Sequence, residues 1–330
     1  MLKRVPGMAR SLLFCALAAG SAVHAQDPAA AYPNKPIHVL VPFPAGGGTD
    51  ALARLIAQKL GEKWGVQAVV ENRPGGNTVI AAQAVARAAP DGYTLVLVNS
   101  TFAINTILAP NLPYDSEKDF APVSAVAATP FMMVVHPTVP ANSFKDMVGI
   151  LKSSKPGEWN FATVGGTGVG RIAGELFGVQ SGVKLQHIPY KGAAQVVTDM
   201  LAGQVKFTID PPSVYIGHIR SGKLKALAVT GNTRLASLPD VPTFAEAGMP
   251  EYDIRMWFGL LAPGGTPKPI VNKLSAAVTE IMAMPDVKDK IRALEMVPVT
   301  PGAEQFQALL KSETARFASV VKAANIKAGE

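Results

Sequence analysis

The stretch VLVPFPAGGGTDALARLIAQKL, residues 39–60, joins three patterns that are typical of consecutive structural elements. An apolar run predicts a β-strand, and the three glycines at 46–48 predict a tight turn. Apolar residues then recur with the spacing of an amphipathic helix, namely Leu52, Leu55, Ile56 and Leu60. We expect Thr49 or Asp50 to cap this helix. Three glycines exceed what a cap requires, and they would let an anion approach the unpaired N–H groups of the helix N-terminus, so we predict an anion site.

A second stretch with the same design, NFATVGGTGVGRIAGELFGV, occupies residues 160–179. The apolar residues after its glycine-rich turn also have helical spacing, namely Ile172, Leu176 and Val179. Gly168, Gly170 and Ala173 match the G-x-G-x-x-A spacing of dinucleotide-binding sites. Those sites need a carboxylate about 20 residues later, whereas Lys191 lies in that region of this chain. The turn therefore does not indicate a nucleotide site.

Short β-rich runs alternate with helical patterns along the chain, which is typical of an α/β fold with mostly parallel sheets. We expect the two glycine turns to lie in two lobes and to face each other beyond the carboxyl ends of the strands. The chain is predicted to cross between lobes near Thr129 and again near Trp257. Lobe 1 would then be discontinuous, with residues 26–128 and 254–330, and lobe 2 would comprise residues 129–253.

The N-terminal residues 1–25 have the pattern of a secretory signal, in which three basic residues precede the apolar run SLLFCALAAGSAV. This run is too short for a permanent membrane helix. We place cleavage after Ala25 and expect an exported protein of the periplasm. The single cysteine, Cys15, falls within the signal, so the mature chain would be stabilised by its core without disulfides.

Several classes of function lack their sequence signature. Removal of the signal, which holds three basic residues and no acid, would lower the net charge from +7 to +4, and this is too modest and too dispersed to indicate nucleic-acid binding. The five histidines have no spacing typical of metal ligands. No G-x-S-x-G motif occurs, and the one S-x-x-K, at residues 181–184, has no accompanying S-D-N or K-T-G. We therefore expect neither catalytic residues, nor a metal, nor a cofactor.

Three polar residues follow predicted strands at the edge where a ligand would bind. Ser100 and Thr101 come after LVLVN, and their hydroxyls could contact a ligand or cap the next segment. Asp210 ends a strand before two prolines. It could face the cleft from lobe 2, or it could simply cap the following turn.

In order, the motifs PFPAGGGTD, ENRPGG, PDGYTL, YDSEKDFAPVS, AGELF, PYKG, LAGQV and LPDVPTFAEAG closely resemble the substrate-binding receptors of tripartite tricarboxylate transporters, the Bug-type periplasmic proteins. The match covers nearly all of the mature chain. The resemblance implies a two-lobed periplasmic binding protein of type II, a Venus-flytrap clamshell that closes on a small carboxylate. It implies delivery of a di- or tricarboxylate, or an aromatic acid, to membrane permease subunits. A ligand-responsive role with the external domain of a sensor kinase is the alternative.

The resemblance also implies that the first glycine turn (residues 43–50) and the second glycine turn (residues 163–170) hold the ligand. Backbone groups, hydroxyls and ordered water would make most of the contacts. The candidate ligand-binding residues are Phe43, Ala45, Gly46, Gly47, Gly48, Thr49, Asp50, Ser100, Thr101, Thr163, Gly166, Thr167, Gly168, Arg171 and Asp210.

The chain departs from the family pattern where ligand specificity is expected to lie. Thr167, Gly168 and Val169 replace part of a hydroxyl-rich pattern, and Phe102 follows NST where a polar residue is common. Arg171 stands near the position of a usual histidine. It could hold a second carboxylate of the ligand, or it could pair with Glu175 one helical turn later.

Overall fold

The computed structural model describes residues 29–109 and 111–327. The predicted signal segment and its cleavage after Ala25 lie outside the described residues. Within the described part of the chain, every helix is too short or too polar to cross a membrane.

Eleven strands of the described residues form two sheets. The strands are β1 (Ile37–Val41), β2 (Ala68–Asn72), β3 (Thr94–Asn99), β4 (Phe120–Pro130), β5 (Met132–Val135), β6 (Asn160–Val164), β7 (Gln186–Tyr190), β8 (Phe207–Asp210), β9 (Lys225–Val229), β10 (Arg255–Pro263) and β11 (Val297–Pro298). The first sheet has the order β11-β4-β10-β3-β1-β2, and the second has the order β7-β6-β8-β5-β9.

The two-lobed α/β architecture is confirmed, but the sheets are mixed rather than mostly parallel. Strand β1 runs parallel to β2 and β3, and β6 runs parallel to β7 and β8. The remaining pairs, which involve β4, β5, β10 and β11, are antiparallel. The reason is the connection between lobes. Strand β4 leaves the first sheet and β10 returns to it, so the two run in opposite directions.

Ten helices and two short 3-10 turns of the described residues connect the strands. The helices are α1 (Gly48–Trp64), α2 (Val79–Ala86), α3 (Thr101–Leu108), α4 (Phe144–Ser153), α5 (Val169–Ser181), α6 (Ala193–Leu201), α7 (Ile216–Arg220), α8 (Lys268–Ala283), α9 (Pro285–Ala293) and α10 (Ala303–Ala323). The 3-10 turns are Gly76–Thr78 and Pro212–Val214.

Helices cover both faces of each sheet. Residues of α1, α8 and α9 share one apolar core with the first sheet, and residues of α2, α3 and α10 pack on its other face. The predicted apolar face of α1 is confirmed, since all four of its residues are buried. The face predicted for α5 is wrong at Val179, which is 47% exposed. Helix α5 instead buries Ile172, Ala173 and Phe177 against the second sheet, where the large ring of Phe177 fills the core.

The chain passes between the sheets at two adjacent places. Strand β4 ends at Pro130 and β5 begins at Met132, while β9 ends at Val229 and β10 begins at Arg255. Thr230 ties the two crossings together, because its hydroxyl accepts the Phe131 amide at 2.8 Å and donates to the Ile254 carbonyl at 2.7 Å. We call this region the hinge. The lobe boundaries at 128/129 and 253/254 stay a prediction.

Candidate ligand-binding site

The first glycine turn leaves the N-terminus of α1 open. Gly46 has φ +89°, a conformation that favours glycine. Gly47 is the N-cap residue in an extended conformation, and no side chain of the described residues caps the helix. A Cβ atom on either glycine would meet no described heavy atom within 4 Å. The expectation that Thr49 or Asp50 occupies the cap is therefore wrong, since the backbone of a glycine fills that position.

Asp50 lies under the turn and fixes its shape. Its carboxylate accepts hydrogen bonds from the Gly46 amide at 3.0 Å, from Arg54 Nε at 2.9 Å and from Asn72 Nδ2 at 2.9 Å. The hydrogen bond from Arg54 is the main cause that lowers the pKa of Asp50 to about 2. Asn72 also donates to the Phe43 carbonyl at 3.0 Å. The Asp50 carboxylate thus stabilises the first glycine turn from inside. The apolar pattern of the sequence did not indicate that Asn72 contributes to this turn.

The second glycine turn repeats this arrangement in the other lobe. Gly165 has φ +78°, Gly168 is the N-cap residue of α5, and no side chain in the described part of the chain caps this helix. Arg171 donates to the Gly166 carbonyl at 3.1 Å and lies 3.8 Å from Glu175. Its side chain is only 11% exposed. Arg171 therefore braces the turn, and its predicted contact with a ligand stays a prediction.

Thr163 and His187 support the second turn from the sheet. The Thr163 hydroxyl donates to the Gly165 carbonyl at 3.1 Å and lies 2.7 Å from His187 Nε2. Because the hydroxyl proton is used on Gly165, the ring nitrogen is the donor in the second bond. Burial, followed by the charge of Arg171, lowers the pKa of His187 to about 4. His187 is therefore neutral near pH 7. Its isolated position in the sequence gave no signal of this role.

Asn77 brings the two lobes into contact. Its Nδ2 donates to Thr167 Oγ1 of the second glycine turn at 3.1 Å. Asn77 has φ +51° and the next residue, Thr78, has φ +78°. Asn105 holds this unusual backbone, since its Nδ2 donates to the Asn77 carbonyl at 2.7 Å and to Thr78 Oγ1 at 3.2 Å. The turn after β2 therefore belongs to the candidate site, although in the sequence this segment appeared only as the motif ENRPGG.

Among the described residues, no hydrogen bond links Ser100 or Thr101 to either glycine turn. Ser100 is buried, and its hydroxyl accepts the Trp257 amide at 3.0 Å at the start of β10. The Thr101 amide donates to Asn99 Oδ1 at 3.0 Å. Phe102 is buried next to them and packs edge-on against Phe120, with ring centroids 5.1 Å apart. Phe102 is thus a core residue, while Ser100 joins the end of β3 to the hinge.

Asp210 lies below the first turn of α5. It is buried, and Tyr215 donates to its Oδ2 at 2.8 Å. A Cβ atom on Gly170 would lie 4.0 Å from its Oδ1, which places the carboxyl against the helix. Burial raises the pKa of Asp210 to about 7. When ionised, Asp210 can interact with the N-terminus of α5 while it stays buried.

The arrangement is suited to hold an anion. Two helix N-termini, one in each lobe, have glycine N-caps without side-chain caps. Each offers backbone N–H groups and the positive end of a helix dipole. Within the described residues, no group of three or more His, Cys, Asp or Glu is placed to hold a metal ion.

Comparison with known proteins supports this interpretation. The model of the tripartite tricarboxylate transporter family receptor matches residues 52–326. The chain belongs to this family. The family match gives the chain the role of a substrate-binding receptor.

Solved structures of related receptors share the fold. An R. palustris protein solved with adipate is 33% identical, with a TM-score of 0.79, and the alignment covers 90% of this chain and 99% of that one. The periplasmic binding protein BugD is 33% identical with a TM-score of 0.76, at 90% and 99% coverage. MatC from Rhodopseudomonas palustris, solved with malate, is 32% identical with a TM-score of 0.74, at 88% and 100% coverage. The receptor is thus similar to periplasmic binding proteins over most of its length.

Proposed function

We propose that this receptor captures a small carboxylate between its two glycine turns. The observation that carries the proposal is the pair of open helix N-termini, at Gly47 in lobe 1 and Gly168 in lobe 2. The hydrogen bond from Asn77 to Thr167 joins the turn after β2 to the second glycine turn, so the two lobes meet beside the N-terminus of α5. A carboxylate bound there would accept hydrogen bonds from backbone amides, and each helix dipole would favour its charge.

The ligand class we infer is a dicarboxylate. The relatives solved with adipate and with malate, which are both dicarboxylates, support this choice. Two helix N-termini in opposite lobes would allow each to receive one carboxylate of the same ligand. A tricarboxylate or an aromatic acid stays the alternative from the sequence.

The proposed contacts come from the two turns. In the first, Phe43, Ala45 and Thr49 would join the three glycines, and in the second, Gly166 and Thr167 would join Gly168. The predicted ligand contacts of Asp50, Ser100, Thr101, Thr163, Arg171 and Asp210 stay predictions. The side chains of all of these except Thr101 already make the internal contacts described above.

We further propose that the receptor works in the periplasm and delivers its ligand, chemically unchanged, to the permease subunits of a tripartite transporter. The family match and the similarity to BugD support this role. The predicted alternative, signalling to the external domain of a sensor kinase, would use the same closing motion.

The test is a thermal-shift screen of the mature protein against mono-, di- and tricarboxylates, both aliphatic and aromatic. A ligand at about 100 times its Kd stabilises the folded state by roughly 2.7 kcal/mol. We expect at least one dicarboxylate to raise the melting temperature in a saturable way. If no carboxylate shifts the melting temperature, the proposed function is wrong.

The matched variants are Gly47→Val and Gly149→Val. A Cβ atom at either position meets no described heavy atom within 4 Å, so both should fold. Gly47 forms the N-cap of the open helix, whereas Gly149 lies in α4. We expect the first variant to lose the ligand-induced shift and the second to keep it. Equal shifts in both variants would remove the first glycine turn from the site.

A further inference from the structure

A buried carboxyl group lies beside the first turn of each open helix, α1 and α5, but the two groups have different partners. Asp50 accepts a hydrogen bond from the guanidinium of Arg54 at 2.9 Å, so its charge is balanced within lobe 1. Asp210 is 5% exposed, and a Cβ atom on Gly170, the second residue of α5, would lie 4.0 Å from its Oδ1. In the described part of the chain, no cation balances Asp210. The two lobes therefore differ in the charge beside their glycine turns.

Asp210 has a single hydrogen-bond partner among the described residues. Tyr215 donates to its Oδ2 at 2.8 Å, and no described residue donates to its Oδ1. An ionised carboxylate that is buried without a cation loses its hydration with little compensation, so burial favours the protonated form. Burial accordingly raises the pKa of Asp210 to about 7. Both protonation states are therefore accessible near neutral pH.

The titratable groups of the elements around the end of β8 leave Asp210 to Tyr215. They are Arg171 and Glu175 on α5, His187 and Tyr190 on β7, Asp199 on α6, His218 on α7, and Tyr215 itself. Arg171 lies 3.8 Å from Glu175, and Tyr190 donates to Asp199 at 2.7 Å. The histidine on β7 is neutral near pH 7, because burial lowers its pKa to about 4. Among the described residues, only Tyr215 hydrogen-bonds to Asp210.

We propose that Asp210 couples the capture of a carboxylate to the uptake of one proton. This inference rests on the proposed carboxylate site. Asp210 acts through the N-terminus of α5 and needs no contact with the ligand. An ionised Asp210 and a bound carboxylate are like charges that compete for the same helix dipole. Binding therefore favours the protonated form of Asp210, and ionisation of Asp210 weakens binding. The proton comes from solvent and joins a carboxylate oxygen of Asp210.

Proton uptake is confined to lobe 2 in this account. The hydrogen bond from Arg54 is the main cause that lowers the pKa of Asp50 to about 2, so Asp50 stays ionised throughout the neutral range. The first glycine turn would then bind a carboxylate equally well on both sides of pH 7. The second glycine turn would bind it best below about pH 7, where Asp210 is neutral. Capture between both lobes should therefore weaken as the pH rises.

The experiment is calorimetric titration of the mature receptor with malate and with adipate. The carboxyl groups of both probes are largely ionised between about pH 6.5 and about pH 8.5, so their own charge changes little. We expect the Kd of the wild type to rise roughly tenfold over this range, since binding is linked to one proton. Titrations in two buffers with different ionisation enthalpies should show uptake of up to about one proton for each probe molecule bound.

Two matched variants assign the proton to Asp210. Asp210→Asn removes the titrating group, so the ratio of its Kd values at the two pH values should fall to about one. Asp199 also accepts a hydrogen bond from a tyrosine of lobe 2, but it lies on α6. Asp199→Asn should therefore keep the pH dependence of the wild type. The same dependence in Asp210→Asn as in the wild type would overturn the inference.

A third variant, Tyr215→Phe, keeps Asp210 and removes its hydrogen bond. That bond lowers the pKa of Asp210, so the loss of affinity should move to higher pH in this variant. If Asp210→Asn does not fold, an unmoved profile in Tyr215→Phe overturns the inference. Binding that is independent of pH in the wild type, without proton uptake, overturns this inference alone. Absence of binding of both probes at both pH values would refute the inferred dicarboxylate class, and the inference with it.

Discussion

Asp50 shapes the first glycine turn from beneath, because its two oxygens take up an amide of the turn, a guanidinium and a side-chain amide. The turn is therefore held from within by Asp50, a side chain that the sequence could equally assign to the ligand, and by Asn72. Gly46, and not Gly47, has the positive φ angle that requires glycine. Gly47 is thus free to be replaced without backbone strain, which makes it the sharper probe of the site.

The Asp50→Ala variant should lower the free energy of unfolding by about 1–3 kcal/mol, because three donors lose a buried acceptor. It should also weaken carboxylate binding, since the turn is no longer fixed. The control is Asp289→Ala, which removes an exposed ion pair with Arg292 and should cost at most about 1 kcal/mol. Urea unfolding measures both. Equal small losses in the two variants would contradict the role assigned to Asp50.

Asp210 should make stability depend on pH. Burial raises its folded-state pKa from the ordinary 3.8 to about 7, so the folded protein holds this proton more tightly than the unfolded chain. Its contribution to stability is present below pH 4 and is lost as the pH rises to about 7. The Asp210→Asn variant stays neutral, so its stability relative to wild type should increase over that range. Urea unfolding at several pH values measures the difference in stability between Asp210→Asn and the wild type. A difference that does not change with pH would contradict the raised pKa of Asp210.

At the scale of elements, α5 and its turn depend on Arg171. Since Arg171 donates to Gly166 and lies near Glu175, Arg171→Ala should loosen the second glycine turn. We expect the affinities for adipate and for hexanoate to fall by a similar factor, roughly tenfold, as measured by calorimetry. A loss confined to adipate would show instead that Arg171 holds the second carboxylate directly.

The elements that the sequence predicted well are those whose signals are local. The apolar run, the glycines and the helical spacing of residues 39–60 lie next to one another in the chain, and β1 and α1 form where the pattern indicates. The sequence does not predict strand β4, because FAPVSAVAATP is rich in alanine and contains Pro122 and Pro130. It is a strand because β10 pairs with it along its length.

The parts of the candidate site that were missed depend on contacts between distant segments. Asn72 acts through Asp50, and His187 acts through Thr163 across two neighbouring strands. Asn77 has a left-handed backbone conformation that a hydrogen bond from Asn105 supports, and no local sequence pattern indicates this contact. The glycine turns were predicted because glycines just before a helix indicate a turn from the local sequence alone. An isolated Asn or His gives no such local signal.

At the scale of the whole molecule, the proposed site is divided between two sheets that the chain connects by two adjacent crossings. Phe131, Thr230 and Ile254 tie these crossings together, and a further hydrogen bond from Asn77 to Thr167 joins the two lobes. Two rigid sheets joined in this way can rotate about the hinge as a clamshell. A ligand that bridges both glycine turns would favour the closed position.

The most direct test is small-angle X-ray scattering of the mature receptor without ligand and at saturation with the carboxylate identified by the thermal-shift screen. We predict that the radius of gyration falls on saturation in the wild type and stays unchanged in Gly47→Val. The wild type must be shown by calorimetry to be saturated at the concentrations used. An unchanged radius in the saturated wild type would contradict closure of two lobes on a shared ligand.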